Sequence, residues 1–465
     1  MNTENRKSLK IGLLPLYLEL YDETKPKVRN EFSPFIEKIC KLLESHKIEV
    51  MLADICRISQ EFERAVSQFE KAEVDCLVTL HLAYSPSLEC IEALSKTKLP
   101  IIVLDTTRDK RFDSISLLMY NHGIHGVQDM CNLLLQRNKD FFIEAGHIEL
   151  SNVIERTVQH IKGAKMANEF KNSRIGQIGE SFKGMGDFKI DPNTLYSKYG
   201  IKIFKTAPNE MAKYLPSEDT PEILDVIKND ALNYDISSLN ENKHKLSARI
   251  GIALKSWLKE ENLSAFTINF RVVAKDSGIP MMPFFEICKL MKDKRVGYAG
   301  EGDVLTAALT GAMTKVLGEC SFAEMFCPDW ENDTIFLSHM GEINFEVIED
   351  KAILVEKEWV YSDAESSIFP SACFKSGEAI LVNLAPQAHD SFSLILSPVV
   401  MLKDMYKEIG NGVRGWMKPL IPINDFLKKY SEVGGTHHAA IVYGRHLESL
   451  KTFGKIMDWK VIEIK

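Results

Sequence analysis

The first third of the chain alternates short apolar runs with longer segments in which apolar residues recur every three or four positions. This alternation predicts βαβ units and a parallel, doubly wound sheet. The predicted strands are 10–18, 48–54, 74–82, 99–105 and 140–147, and the predicted helices are 30–46, 60–71, 87–95, 121–137 and 151–170. Because ligands of such sheets bind at the carboxyl ends of the strands, Tyr17 and residues 81–85 and 105–108 are expected at a binding edge.

The same alternation resumes after a glycine-rich loop near residue 172, and it stops near Cys320. Beyond that point the chain carries closely spaced β-type runs, at 333–340, 343–348, 352–361, 378–385 and 391–402. Closely spaced strands with little helix predict an antiparallel sandwich or barrel. We therefore predict an α/β protein in which two doubly wound parallel-sheet domains, 1–172 and 173–319, precede a β-rich C-terminal domain, 320–465.

Length, charge and cysteine usage narrow the possible functions. A chain of 465 residues exceeds the roughly 250 to 300 residues that one core supports. The net charge of -8 argues against a nucleic-acid partner, because phosphates would be repelled. The 9 cysteines form no C-x-x-C pair, which is typical of the reducing cytoplasm. No apolar run approaches the roughly 20 residues of a membrane helix, so no membrane partner is expected.

Two segments carry candidate chemistry, GYAGEGDVL around Glu301 and GGTHHAA around His438. In the first segment a predicted strand ends in glycine and a helix follows, so Glu301 and Asp303 lie at the carboxyl edge of a sheet. Asp303 also suits the N-cap of that helix, and we favour this structural interpretation for it. Glu301 stands between two glycines, where packing gives no reason for a carboxylate.

Histidine and glutamate residues in the last third are further candidates. Neutral imidazole is a common metal ligand, although the adjacent His437 and His438 also fit an incidental surface pair. His339, alone in a predicted strand, equally fits a hydrogen-bonded core residue. Glu324 has apolar neighbours, and a carboxylate there is costly to bury unless it is paired or bound to a cation.

Taken together, these segments resemble the L-arabinose isomerases. The similarity rests on AGEGDVLTAAL, SFAE, SHM-x-E and GG-x-HH in this order, with NHGIHG, EAGH and AFT-x-x-F as supporting matches. The resemblance implies a divalent metal, Mn²⁺ first and Co²⁺ or Mg²⁺ as alternatives, held by Glu301, Glu324, His339 and His438. It also implies that an aldose is converted to its ketose through an enediol, with Glu301 and Glu324 as general acid and base.

The resemblance further implies a set of sugar contacts and an assembly. The implied substrate-binding residues are His125, Met185, Phe270 and His437. Members of this family build their sites across subunits, so a homo-oligomer, either a trimer or a hexamer, is implied, with sites at subunit interfaces.

The chain departs from the family where the sugar pocket is expected. MFCPDW follows Glu324 in place of an acidic residue and a Tyr-Thr-Tyr run, and the family's sugar-contacting glutamine near the N-terminus is lost in LPLYLELYDE. We therefore predict a retained metal site with a reshaped pocket. An L-fucose isomerase-like enzyme, an epimerase on the same scaffold and a non-catalytic sugar-binding protein remain alternatives.

Overall fold

The computed structural model describes residues 9–404, 406, 410 and 412–465. Within these residues the chain forms two compact units. The first unit contains the described residues through Asn168 together with Glu448–Met457, and the second contains Glu169–Leu447 with Asp458–Lys465. In the described residues, no helix is both long enough and apolar enough to span a membrane.

The first unit is built on a five-stranded parallel sheet with the strand order β2-β1-β3-β4-β5. Its strands are β1 (Leu9–Leu16), β2 (Ile48–Leu52), β3 (Cys76–His81), β4 (Ile101–Asp105) and β5 (Phe142–Ala145). Its helices are α1 (Glu19–Thr24), α2 (Ser33–Ser45), α3 (Ser59–Lys71), α4 (Ser87–Lys96), α5 (Leu118–Asn121), α6 (Gly123–Gln136), α7 (Val153–Lys171) and, from the C-terminal region, α14 (Leu447–Ile456). Side chains on the two faces of β1 belong to separate cores, which is the doubly wound arrangement.

The start of α6 packs directly onto His81, the last residue of β3. A Cβ atom added at Gly126 would lie 2.5 Å from His81 Cδ2 and 2.9 Å from the backbone nitrogen of Ser85, so only glycine allows this approach. Burial lowers the pKa of His81 to about 3, and its ring is therefore neutral. This contact fixes the first turn of α6, which carries His125.

The second unit begins with a four-stranded parallel sheet in the order β7-β6-β8-β9. Its strands are β6 (Arg174–Ile178), β7 (Lys202–Thr206), β8 (Ala265–Ile268) and β9 (Gly297–Gly300), and its helices are α8 (Pro192–Tyr199), α9 (Pro221–Asn233), α10 (Glu241–Glu260), α11 (Phe284–Lys294) and α12 (Val304–Val316). The carboxyl ends of β8 and β9 are neighbours, and they lead to Phe270 and Glu301.

The rest of the second unit is a β-rich region whose centre is a closed antiparallel barrel. The barrel follows the cycle β16-β11-β10-β17-β14-β15, and pairing of β15 with β16 closes it. Its strands are β10 (Cys320–Asp329), β11 (Thr334–Ser338), β14 (Gly377–Pro386), β15 (Phe392–Leu402), β16 (Val413–Pro419) and β17 (His438–Tyr443). Outside the cycle are β12 (Ile353–Lys357), β13 (Ser367–Cys373), β18 (Lys460–Glu463) and the helix α13 (Ile423–Glu432).

The predicted fold class is confirmed, because two parallel α/β sheets precede a β-rich region. Two details were wrong. The run 343–348 is not a strand, since it forms turns with a single bridge at Ile348, and the C-terminal region contains α13 and α14. Both helices have 10 residues, and α13 does carry helical spacing in its buried residues Ile423, Phe426 and Tyr430. The boundaries proposed near residues 172 and 319 stay predictions.

We predict that Gly126→Ala destabilises the first unit by about 1–3 kcal/mol, because the new methyl group overlaps the buried His81 ring and the chain backbone. Alanine favours a helix by only about 1 kcal/mol over glycine, which does not offset this overlap. Ile124→Ala is the matched control, since Ile124 is 49% exposed in the same turn. Urea unfolding followed by circular dichroism measures both variants. An unchanged midpoint for Gly126→Ala would contradict the packing described here.

Candidate metal centre

The register of the barrel strands places three polar side chains together. On β10, Glu324 lies directly opposite His438 of β17 and, on its other side, opposite Ser338 of β11. His339 follows Ser338 immediately. Because β10 lies between β11 and β17, its carboxylate has an imidazole on each side. Strand pairing therefore brings Glu324 next to His438, although the two residues are more than a hundred positions apart in sequence.

The fourth side chain comes from the turn between β9 and α12. Glu301 adopts a left-handed backbone conformation with φ 62°, which is uncommon for a residue with a Cβ atom. Two backbone hydrogen bonds hold this turn, from Glu301 N to Ile268 O (3.1 Å) and from Phe182 N to Glu301 O (2.8 Å). A Cβ atom at Gly300 would lie 2.7 Å from Cε1 of His339, so this glycine lets the turn approach the barrel.

The four ligand atoms of Glu301, Glu324, His339 and His438 lie within 4.8 Å of one another. Nε2 of His438 lies 2.9 Å from Oε1 of Glu324 and 3.4 Å from Oε2 of Glu301, and Nε2 of His339 lies 3.6 Å from Oε1 of Glu324. His438 is fully buried, and Glu301 is only 8% exposed.

These contacts are close but poorly aligned for hydrogen bonding. Among the described residues, Oε2 of Glu301 and Nε2 of His438 have no hydrogen-bond partner, although both atoms are buried. Buried polar atoms without partners are costly, whereas a shared cation satisfies carboxylate and imidazole together. Oxygen and nitrogen donors in this combination suit Mn²⁺ and similar ions, and the four residues therefore fit a divalent metal.

A second layer of carboxylates orients both imidazoles. Nδ1 of His438 lies 2.8 Å from Oδ2 of Asp303, and Nδ1 of His339 lies 2.5 Å from Oε2 of Glu342. Glu342 in turn accepts hydrogen bonds from the Tyr298 hydroxyl (3.0 Å) and from the backbone of Gly341. With Nδ1 engaged in each ring, both Nε2 atoms face the cluster, as in metal sites whose histidines bind carboxylates.

Comparison with known proteins supports the resemblance to the L-arabinose isomerases. The sequence model of the L-arabinose isomerase central domain matches residues 174–319, and that of the L-arabinose isomerase C-terminal domain matches 319–460. The chain belongs to the L-arabinose isomerase family. This membership assigns the protein to the aldose–ketose isomerases, which are intramolecular oxidoreductases.

Individual relatives have low sequence identity to this chain, but the alignments cover most of both proteins. The chain is 24% identical to the L-arabinose isomerase of Geobacillus kaustophilus over 406 residues, which covers 83% of this chain and 80% of that protein. It is 24% identical to the L-arabinose isomerase of Thermotoga petrophila over 472 residues, covering 95% and 91%. A solved periplasmic sugar-binding protein from Legionella pneumophila covers 66% of this chain at 10% identity, but its TM-score of 0.18 is too low to bear on the fold.

Asp303 has two roles in this isomerase. Its Oδ1 accepts a hydrogen bond from the backbone of Thr306 at 2.9 Å, so it is the N-cap that the sequence predicted. Its Oδ2 contacts His438, which the sequence did not reveal. One carboxylate thus fixes both the start of α12 and the ring of a candidate ligand.

The carboxylates of the cluster shift the pKa values of the two imidazoles. Burial disfavours the imidazolium form of each ring, but the nearby carboxylates outweigh it. Asp303, Glu301 and Glu324 raise the pKa of His438 well above its usual range, and Glu342 raises the pKa of His339. The carboxylates around both rings thus favour a positive charge within the cluster, which a bound metal would also supply.

Aromatic rings enclose the two imidazoles. The edge of Phe322 contacts both rings, with centroids 4.8 Å from His339 and 4.9 Å from His438. Phe188 stacks parallel to His438 at 4.5 Å and 5°. These rings restrict rotation of the imidazoles and exclude water from one side of the cluster.

His437 lies beside the cluster and is held by a loop. Its backbone N–H donates to Oδ2 of Asp187 at 2.9 Å, and its Nδ1 lies 2.6 Å from the same oxygen. Burial tends to raise the pKa of Asp187, but these hydrogen bonds lower it below its usual value. Nε2 of His437 lies 3.9 Å from Oε1 of Glu324, and its side chain is 38% exposed.

The other predicted sugar contacts are distributed over both units. Phe270 is buried after β8, where its ring stacks on Phe182 at 5.4 Å. Met185 is half-buried in the loop that carries Asp187. His125 belongs to the first unit, where it is exposed on α6.

Sequence reasoning missed Glu342, Asp187, Phe182 and Phe188. Glu342 had a signal, because it is the glutamate of SHM-x-E and follows His339 by three residues. The other three lie in a loop without a regular pattern. The contacts of Asp187 and Phe188 depend on where β6 ends and where β17 begins in the fold.

We predict that His438→Ala weakens Mn²⁺ binding far more than His437→Ala. Loss of an outer hydrogen-bond partner typically costs about 10–100-fold in metal affinity, so loss of a buried ligand should exceed about 100-fold. His437→Ala should cost less than about tenfold, since its ring is tied to Asp187. Calorimetric titration of the metal-stripped variants measures both affinities. Equal losses would show that the wrong ring was assigned to the metal.

Proposed function

We propose that this protein is a metal-dependent aldose–ketose isomerase that acts through an enediol and whose sugar pocket differs from that of the L-arabinose isomerases. The supporting observation is the buried cluster of two carboxylates and two imidazoles, in which Oε2 of Glu301 and Nε2 of His438 lack a hydrogen-bond partner among the described residues. Mn²⁺ is the proposed ion, with Co²⁺ or Mg²⁺ as alternatives. When bound, it would polarise the carbonyl and hydroxyl oxygens of the sugar.

Glu301 and Glu324 are proposed as ligands and as the general acid and base. Each carboxylate has two oxygens, so one can face the cation while the other holds or accepts a proton. Glu324 suits proton transfer because its side chain keeps 13% exposure, whereas His438 beside it is fully buried. Glu301 contributes Oε2, which is buried without a hydrogen-bond partner among the described residues. His339 and His438 complete the proposed metal ligands.

The proposed sugar contacts are Phe270, Met185 and His437, with His125 from a second copy of the chain. His437 supports this role through its partial exposure beside Glu324. Phe270 supports it through its place after β8, next to the Glu301 turn. Met185 is proposed because it belongs to the loop that contains Asp187, and Asp187 accepts a hydrogen bond from the backbone of His437.

A reshaped pocket is proposed because β10 changes immediately after Glu324. Its pairing with β11 shifts register between Met325 and Cys327, which is a β-bulge. Phe326 and Trp330, in and after the bulge, are 50% and 64% exposed. Large apolar groups therefore occupy the segment where the family has polar residues.

Two alternatives keep the cluster, and they change either the sugar or the reaction. An L-fucose isomerase-like activity would need only another sugar, and an epimerase would return the proton to the opposite face of C2. A non-catalytic sugar-binding protein would not need the four buried ligand groups, and the isomerase family membership disfavours it.

Assembly, location and domain division are also proposals. We infer a homo-oligomer, trimer or hexamer, from the family resemblance, with no nucleic-acid or membrane partner. A cytoplasmic location is supported by the nine cysteines, all of which are free thiols. The proposed domains are 1–172, 173–319 and 320–465.

The test is a substrate panel on the protein loaded with Mn²⁺. Pentoses, hexoses and deoxy sugars are incubated separately, and NMR identifies ketose or epimer. We expect ketose from a sugar other than L-arabinose at the highest rate, loss of activity with excess chelator, and recovery with Mn²⁺ or Co²⁺ better than with Mg²⁺. Glu301→Ala and Glu324→Ala are the inactive controls. Full activity after verified metal removal would refute the metal mechanism. If an epimer were the sole product, the protein would be an epimerase and not an isomerase.

A mixing experiment tests the shared site. His125→Ala and Glu301→Ala chains should each be inactive or weak, yet together regain part of the activity, because some mixed interfaces would pair an intact His125 with an intact Glu301. A mixture of two Glu301→Ala preparations is the control. No recovery despite verified subunit exchange would mean that each chain builds its own site.

A further inference from the structure

A chain of hydrogen bonds runs behind His125 in the first unit. The Tyr21 hydroxyl lies 3.2 Å from Nδ1 of His122, and Nε2 of His122 lies 2.8 Å from Nδ1 of His125. Tyr21 lies on α1, and His122 connects α5 to α6. Tyr21 and His122 are 101 positions apart in sequence, so it is the folded structure that brings their side chains together.

The acid–base chemistry of the three side chains determines which atom is the donor in each of these two hydrogen bonds. Burial raises the pKa of Tyr21, so its phenol stays protonated and has a proton to donate. Burial and the neighbouring His125 lower the pKa of His122, which therefore carries one ring proton. A phenol is a better donor than neutral imidazole, and an imidazole nitrogen is a better acceptor than a phenol oxygen. Tyr21 thus donates to Nδ1 of His122.

The direction then determines the tautomer at each step. With Nδ1 accepting, neutral His122 carries its proton on Nε2 and donates it to Nδ1 of His125. Neutral His125 must then carry its own proton on Nε2. Nδ1 of His125 is occupied, and the exposed ring offers an N–H group on its outer side.

The surroundings hold this chain in place. The His122 and His125 rings lie with centroids 4.3 Å apart, and the Tyr84 ring lies 6.3 Å and 6.4 Å from them. Tyr84 is itself tied to Asp129, whose carboxylate also accepts two hydrogen bonds from Ser87. The glycine contact with His81 fixes the helix turn beneath.

We propose that Tyr21 and His122 are positioning residues that fix the tautomer of His125, so that its Nε2–H donates a hydrogen bond to a hydroxyl or carbonyl oxygen of the sugar. His125 is then a donor to the substrate and not a general base. This inference rests on the proposed role of His125 in sugar binding. The hydrogen-bonded chain belongs to the free protein, so it can be tested separately from that role.

The deciding experiment is ¹⁵N NMR of histidine side chains in the full-length protein, with the His125 signals assigned through His125→Ala. We expect a protonated Nε2 and an unprotonated Nδ1 on His125 in the wild-type protein, and a mixture of tautomers in Tyr21→Phe. Tyr84→Phe is the matched control, because it removes a hydroxyl beside the same rings but outside the chain. If Tyr21→Phe does not fold, His122→Phe gives the same comparison. A protonated Nδ1 in the wild type, or an unchanged tautomer in both variants, would overturn the proposal.

Kinetics with L-arabinose as the probe sugar separates the two hypotheses. Tyr21→Phe should raise KM about fivefold, the effect of one lost hydrogen bond, with kcat within about twofold. Tyr84→Phe should leave both unchanged. A tautomer shift without any change in KM would support the hydrogen-bonded chain and contradict the role of His125 in sugar binding.

Discussion

Each buried imidazole of the candidate metal centre has a carboxylate behind it, and the geometry of the whole cluster depends on these two pairs. Asp303 holds His438, and Glu342 holds His339. If either ring turned, its Nε2 atom would leave the cluster, and Glu301 and Glu324 would face each other as buried like charges. The glycine beside Glu301, the cap of α12 and the aromatic walls all serve the same orientation. The cluster is therefore a preorganised arrangement and not a chance meeting of polar side chains.

Local patterns in the sequence predicted the fold class, and they marked Glu301, Glu324, His339 and His438 only as separate candidates. Alternating strands and helices identify a parallel sheet, and glycine-flanked Glu301 marks the end of β9. That Glu324, His339 and His438 lie close together could not be predicted in this way, because their proximity depends on the register of three barrel strands. Strand register is set by the closed cycle of pairings, which no single segment contains. Only the family resemblance anticipated it.

Residues in loops without periodicity were beyond sequence reasoning. Asp187 and Phe188 reach the histidine pair from a glycine-rich loop, and Phe182 packs on Phe270 from the same loop. Met185, the residue chosen there from the resemblance, lies between them in sequence. The β-type run at 343–348 failed for a related reason. Its apolar residues Ile343, Phe345 and Val347 are buried in the core, but they are in turns instead of a strand.

The first unit is discontinuous in sequence, since Glu448–Met457 belong to it although they follow the barrel strand β17. Thr452 contacts His160 at 2.7 Å, and Ser449 donates to Gln159 at 2.6 Å, so α14 covers one side of α7. On a ribosome, the first 168 residues would emerge long before that cover is made. The side of α7 that α14 covers would then stay open to water until nearly the whole chain has been synthesised.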